Sequence, residues 1–130
     1  MEIKLTHTES EMYFYNALCN GLSYIGDYNL ELTYDETSYT DAKNKLKKKS
    51  PNEGLCYEDV LMEILRGGGT LTLEDREGNE DSASITLQEV HDRVATTQLN
   101  HLMNMINEND DAETADVILQ TVFLQDIVYG

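Results

Sequence analysis

One C-terminal segment narrows the choice of folds more than any other part of this chain. Ala115, Ile118, Leu119, Val122 and Phe123 recur at helical spacing and make one apolar face, while Val117, Leu124, Ile127 and Val128 fall around the remaining sides. A helix that is apolar all round cannot be covered by a single neighbour, so it lies at the centre of a domain or forms part of a self-association surface. Leu124, Ile127 and Val128 are the candidate self-association residues, and a homo-oligomer follows if they serve that way. Asp110 or Asp111 is placed to cap this helix, with Glu113 favouring its positive end.

The other elements must supply the cover. Thr8 and Glu11 have the spacing of a capping box, and Tyr15, Leu18, Cys19, Leu22 and Ile25 then form a helical stripe that stops before Gly26. Leu30, Leu32 and Tyr34 alternate with polar residues, which suits either a short strand or an extended loop. Residues 40–49 favour helix, with lysines in the last turns, and Ser50-Pro51 breaks it. Tyr57, Val60, Leu61, Ile64 and Leu65 define a helix over 57–66 that begins with Glu58 and Asp59 and has Gly67 as its left-handed cap. Leu71 and Leu73, then Ala83, Ile85 and Leu87, alternate with polar residues around residues 75–81 and predict a β-hairpin with one apolar face. Val90 and Val94, then Leu99, Leu102, Met103 and Ile106, mark two further helical segments.

Charge bears on partners. Residues 1–49 carry six Lys/Arg against eight Asp/Glu, net −2, and residues 50–130 carry three against seventeen, net −14, which together give the total of −16. Such a field repels nucleic acid and anionic membrane and attracts a basic protein surface. Five lysines, Lys43, Lys45, Lys47, Lys48 and Lys49, stand apart from this pattern; they read as a solvated helix end, with phosphate, an acidic partner or the acidic half of another copy as alternatives. No apolar run is long enough for a signal peptide or membrane span, so a cytoplasmic location is expected. Cys19 and Cys56 lack metal-type pairing and are expected to be buried, reduced thiols.

No residue is assigned as catalytic, cofactor-binding or metal-ligating. Gly67-Gly68-Gly69 follows a helix and precedes a strand, the reverse of the order in a phosphate cradle, and reads as a helix stop. Asn107, Asn109, Asp111 and Glu113 begin like a calcium loop, but Ala112 and Ile118 stand where the turn glycine and the bidentate glutamate are needed. His7, His91 and His101 lack zinc spacing, and His91 and His101, set among polar residues, read as surface residues. The densest acidic group, Glu74, Asp75, Glu77, Glu80 and Asp81, rims the hairpin and is the candidate partner-binding site, with a solvated turn as its plain alternative.

The strings Glu58-Asp59-Val60, Ile64-Leu65-Arg66-Gly67-Gly68, Leu71-Thr72-Leu73, Ile85-Thr86-Leu87 and 111–120, together with the ending 126–130, resemble small acidic uncharacterised proteins of gut-bacterial genomes and their phages or integrated elements. The resemblance spans Tyr57 to Gly130 and implies no activity, although a mobile-element origin favours a regulatory or counter-defence role. Many members of that group carry a Gly and a Glu where this chain has Leu124-Gln125 or Gln125-Asp126.

The expectation is one α+β domain, mainly helical, with a two-stranded antiparallel hairpin at 70–87 packed on helices. The function expected is that of a non-enzymatic acidic interaction or regulatory module. A DNA-mimic inhibitor is the first alternative, and a hydrolase using a carboxylate pair is the second.

Overall fold

Why the C-terminal helix must sit at the centre is evident from its exposure. In the computed structural model, which describes residues 4–51, 54–78, 82–108 and 111–129, α6 (Ala112–Leu124) is buried at every position from Thr114 to Phe123. Asp111 caps it by accepting the Thr114 N–H at 2.8 Å, while Asp110 lies outside the described residues.

The longest helix, α1 (His7–Asp27), packs directly along α6. Gly21 lets the two approach: a Cβ there would meet Leu119 Cδ1 at 2.9 Å and the Ala115 backbone at 3.1 Å. This contact rotates the buried face of α1 to Tyr13, Phe14, Ala17, Leu18, Gly21 and Ile25, so Tyr15 and Leu22 are only half-buried and Cys19 is exposed. The expected capping box also shifts. Thr6 and Glu9 form it, at 3.0 and 3.1 Å, because Glu11 is engaged in ion pairs elsewhere.

The sheet has three antiparallel strands, not two, in the order β1 (Leu30–Thr33), β2 (Leu71–Asp75), β3 (Ala83–Ile85). The ambiguous segment is therefore a strand, stabilised by pairing Leu32 with Leu73 across a long loop closure. Leu30, Leu32, Leu71, Leu73 and Ile85 share the inner face, with four of the five fully buried. Leu87 does not extend β3 but opens α4 (Leu87–Arg93), which runs into a 3₁₀ turn over Val94–Thr96.

Between β1 and β2 stand α2 (Glu36–Lys49), capped by Asp35 through the Ser38 N–H at 2.9 Å, and α3 (Tyr57–Arg66). The residue after α3 that takes the left-handed conformation is Gly68, at φ 90, rather than Gly67, at φ −81. A fifth helix, α5 (Leu99–Ile106), closes another side of α6.

At its end α6 stops at Gln125, whose φ of 61 is left-handed, so Ile127 and Val128 are not helical. The chain instead folds back onto the fully buried Gln120. Its Oε1 accepts the Val128 and Tyr129 N–H groups at 2.8 and 2.9 Å, and its Nε2 donates to the Tyr129 carbonyl and to Asp116 Oδ1, both at 3.1 Å. Leu124 is half-buried, while Ile127 and Val128 are exposed. Both cysteines are free and, contrary to expectation, exposed: Cys19 lies off the buried face of α1, and Cys56 precedes α3 as its N-cap.

Two outcomes follow for denaturant unfolding. Gln125→Gly removes the left-handed penalty of a side chain and stabilises the protein by about 1 kcal/mol. Gln120→Leu keeps the volume but strands the tail amides, and costs about 2 kcal/mol.

Candidate functional site

The sheet divides the acidic rim between its two faces. Strand alternation sends Glu31, Thr33, Thr72, Glu74 and Ser84 outward, and the register sets Glu31 directly opposite Glu74, Thr33 opposite Thr72, and Thr72 opposite Ser84. The Thr72 and Ser84 hydroxyls bond at 2.7 Å. Like charges directly opposite one another in a sheet are destabilising, and here both glutamates are exposed. Among the described residues, ion pairs involve Lys45, Arg66 and His91, none of which reaches Glu31 or Glu74.

Two other rim residues are held in the turn. Asp75 Oδ1 accepts the Glu77 N–H at 2.9 Å, Glu77 Oε1 accepts from Asn29 Nδ2 at 3.2 Å, and the Arg76 N–H reaches the Asn29 carbonyl at 2.9 Å. Glu80 and Asp81 lie outside the described residues. Of the five acids, Glu74 is thus on the outer face, Asp75 has the parity of the inner face, and Glu77 is tied to the neighbouring turn.

On the inner side, Asp75 lines a pocket of about 290 Å³ with Leu30, Leu73, Ala83, Phe123, Leu124, Gln125, Val128 and Tyr129. Two groups that the sequence kept apart, the acidic rim and Leu124 with Val128, therefore meet in one cavity. Ile127 borders a different one, of about 340 Å³, beside Tyr24, Tyr28, Glu113, Asp116, Val117 and Tyr129. There the Tyr28 hydroxyl donates to Asp116 Oδ2 at 2.7 Å and its ring stacks on Tyr129 at 5.1 Å. Burial, then the Asp116 bond, pushes the Tyr28 hydroxyl up to about 12.

A chain of charges that the sequence reading missed joins four helices. Lys45 Nζ lies 3.3 Å from Glu63, Arg66 Nη1 3.7 Å from Glu63, Arg66 Nε 3.1 Å from Glu11, and His91 Nε2 3.0 Å from the other oxygen of Glu11. His7 stacks on His91 at 3.9 Å, so neither is an isolated surface histidine. The available signal was Glu63, which shares a helical face with Val60 and so had to be buried with partners. One member of the lysine run is thereby accounted for.

Nucleophilic and acid–base chemistry find little support here. The Cys56 thiol donates to Asp59 at 3.1 Å and lies 3.3 Å from the Tyr15 hydroxyl, which this contact and burial raise far above its ordinary value. Burial and the nearby Glu58 raise Cys19 as well, disfavouring its reactive thiolate. Glu11 is held below the ordinary range: burial alone raises it, but the His91 and Arg66 bonds outweigh that. Asp59 is lowered likewise by Cys56 and Tyr15 against its burial, while backbone bonds lower Glu9 and Asp111. A general acid needs a shift in the opposite direction. Among the described residues no cluster of His, Cys, Asp and Glu is placed to hold a metal, and no helix is long and apolar enough to cross a membrane.

No family model, no curated protein and no solved structure matches this chain.

The Glu11 pairs set an acid limit on stability. Because its folded pKa lies below the ordinary 4.5, its contribution is complete above that value and is lost as pH falls through the folded value. Urea midpoints measured from pH 7 to pH 3 should therefore fall more steeply for the natural protein than for Glu11→Gln, which starts lower and is flatter at the acid end.

Proposed function

We propose that this chain is a non-enzymatic, cytoplasmic, acidic interaction module that binds a basic protein surface through the outer face of its sheet. The observation that carries the reading is the exposed Glu31–Glu74 pair in direct cross-strand register. A fold that places like charges opposite one another forgoes stability, and an incoming lysine or arginine between them recovers it. The Thr33–Thr72–Ser84 hydroxyls beside the pair offer hydrogen bonds that fix orientation. The net charge of −16 adds attraction at a distance.

DNA mimicry draws less support. It needs a long row of free carboxylates, whereas Glu9, Glu11, Asp35, Asp59, Glu63 and Asp116 each bond within the protein. The resemblance read from the sequence strings of 57–130 to proteins of mobile elements, which no comparison supports, would suit a regulatory role for such a module.

The double variant Glu31→Gln/Glu74→Gln tests the reading because it sets stability against binding. Relief of repulsion should raise unfolding stability by about 0.5 kcal/mol. A lysine-rich peptide titrated into labelled natural protein at low salt should shift the amides of 31–33 and 72–74, and the double variant should bind it about tenfold more weakly. Equal shifts across all acidic regions, or affinity unchanged by the double substitution, would sink the proposal.

A further inference from the structure

We infer that the open edge of β1 takes an extended basic segment of the partner as a fourth strand, a step that rests on the reading proposed above and names the form of that partner. The register fixes which backbone groups are on offer. The Arg76 N–H bonds the Asn29 carbonyl at 2.9 Å, in line with the pairing of Leu30 with Asp75, so the strands bond one another at this position. Bonded positions alternate in an antiparallel ladder. Glu31 and Thr33 are therefore directed to β2, and the N–H and C=O groups of Leu32 and Tyr34 turn to the other side. Among the described residues those groups have no backbone partner. Leu30 has the same direction but is buried, so the accessible edge begins at Leu32, which like Tyr34 is only half-buried.

Charge selects the occupant. Asp27, Glu31, Asp35 and Glu36 are all exposed, and no Lys or Arg lies between residues 27 and 36. The nearest bases stand off at either end. Arg76 is opposite Asn29, about 10 Å along the strand from Leu32 and beside Asp75 and Glu77, and Lys43 is about two turns into α2. A second copy of the chain is disfavoured, because self-pairing would bring Glu31 and Asp35 of both copies together at a net charge of −16 each. A strand with lysines on the outer side meets the acids instead. The edge is otherwise unprotected: Leu30–Thr33 contains no Pro or Lys and pairs with β2 residue for residue, without a bulge. On the inner side, the Tyr34 ring lies 5.2 Å from that of Tyr39 and 6.1 Å from that of Tyr57, whose hydroxyl donates to the Tyr34 hydroxyl at 3.1 Å. This aromatic group gives a β-branched residue opposite Tyr34 a surface to pack on.

The probe is a blocked heptapeptide that alternates Lys and Val and begins and ends with Lys, so that its valines face the tyrosines and its lysines face the side of Glu31 and Glu74. In the protein alone, the amides of Leu32 and Tyr34 should exchange hydrogen faster than those of Glu31 and Thr33. At low salt a saturating amount of peptide should slow exchange at Leu32 and Tyr34 by at least about tenfold. The valine N–H groups are the ones that meet β1, so N-methylating the valines should weaken binding by about tenfold or more. N-methylating the lysines alters only the far edge of the peptide at unchanged charge, and should change affinity by less than about threefold. The protein is identical in every arm, so no folding defect enters. Lysine peptides that bind without protecting Leu32 and Tyr34, or that lose as much affinity by N-methylation at lysine as at valine, overturn the fourth strand and leave the outer-face reading intact. No binding of any lysine peptide overturns both. A dimer of the free protein with Leu32 and Tyr34 already protected assigns the edge to a second copy and also overturns the inference.

Discussion

Covering α6 on every side is the constraint from which the rest of the structure follows. Apolar packing does part of this, through Gly21 against Leu119 and through Phe14 and Phe123, whose rings lie 6.0 Å apart. Polar groups on the same helix do the rest, because a buried polar atom left unpaired is costly. Thr114 meets His101 of α5 at 3.0 Å, Asp116 meets Tyr28 beyond α1, and Gln120 meets the tail. Each bond fixes a different neighbour, so the helix specifies its surroundings by hydrogen-bond partner as well as by shape. The isolated Thr121 hydroxyl turns back to its own helix, on the Val117 carbonyl at 2.7 Å.

A sheet committed on one face to this core has only its other face to offer. Period-two alternation makes the division strict, since a slip of one residue would expose Leu71 and Leu73 and bury Glu74. The like-charge pair therefore cannot be relieved by sliding. It persists because the inner-face burial of five aliphatic side chains outweighs a repulsion of well under 1 kcal/mol.

How much of this was legible depended on how local the determinant was. The helix at 57–66 was readable to the residue, because one clean stripe begins with two acids and ends at glycine. The central position of α6 was legible as one of two alternatives, since apolarity all round demands cover but does not say by what. The strand at Leu30–Thr33 was ambiguous because its warrant is the pairing of Leu32 with Leu73, far along the chain, and pairing at that separation leaves no local trace. The end of α6 was misplaced for a related reason: Gln125 has no intrinsic preference for the left-handed region and adopts it because Gln120 holds the chain beyond. At the site, the acidic rim was visible as composition, but its partition between two faces of a sheet needed the register of β1.

The same register gives the uneven charge a physical meaning. Basic residues are few, and the described ones with internal partners sit at helix junctions: Lys45 and Arg66 link α2, α3 and α1, and Arg93 Nη1 donates to the Val122 carbonyl at 2.8 Å near the negative end of α6. Cations are thus placed where helices must be joined, since there the partner carboxylate or carbonyl is partly withdrawn from water and the interaction is least screened. The sheet, whose strands are joined by backbone bonds, needs none. Glu31 and Glu74 keep their charges facing solvent for that reason, and among the described residues no Lys or Arg forms an ion pair with either.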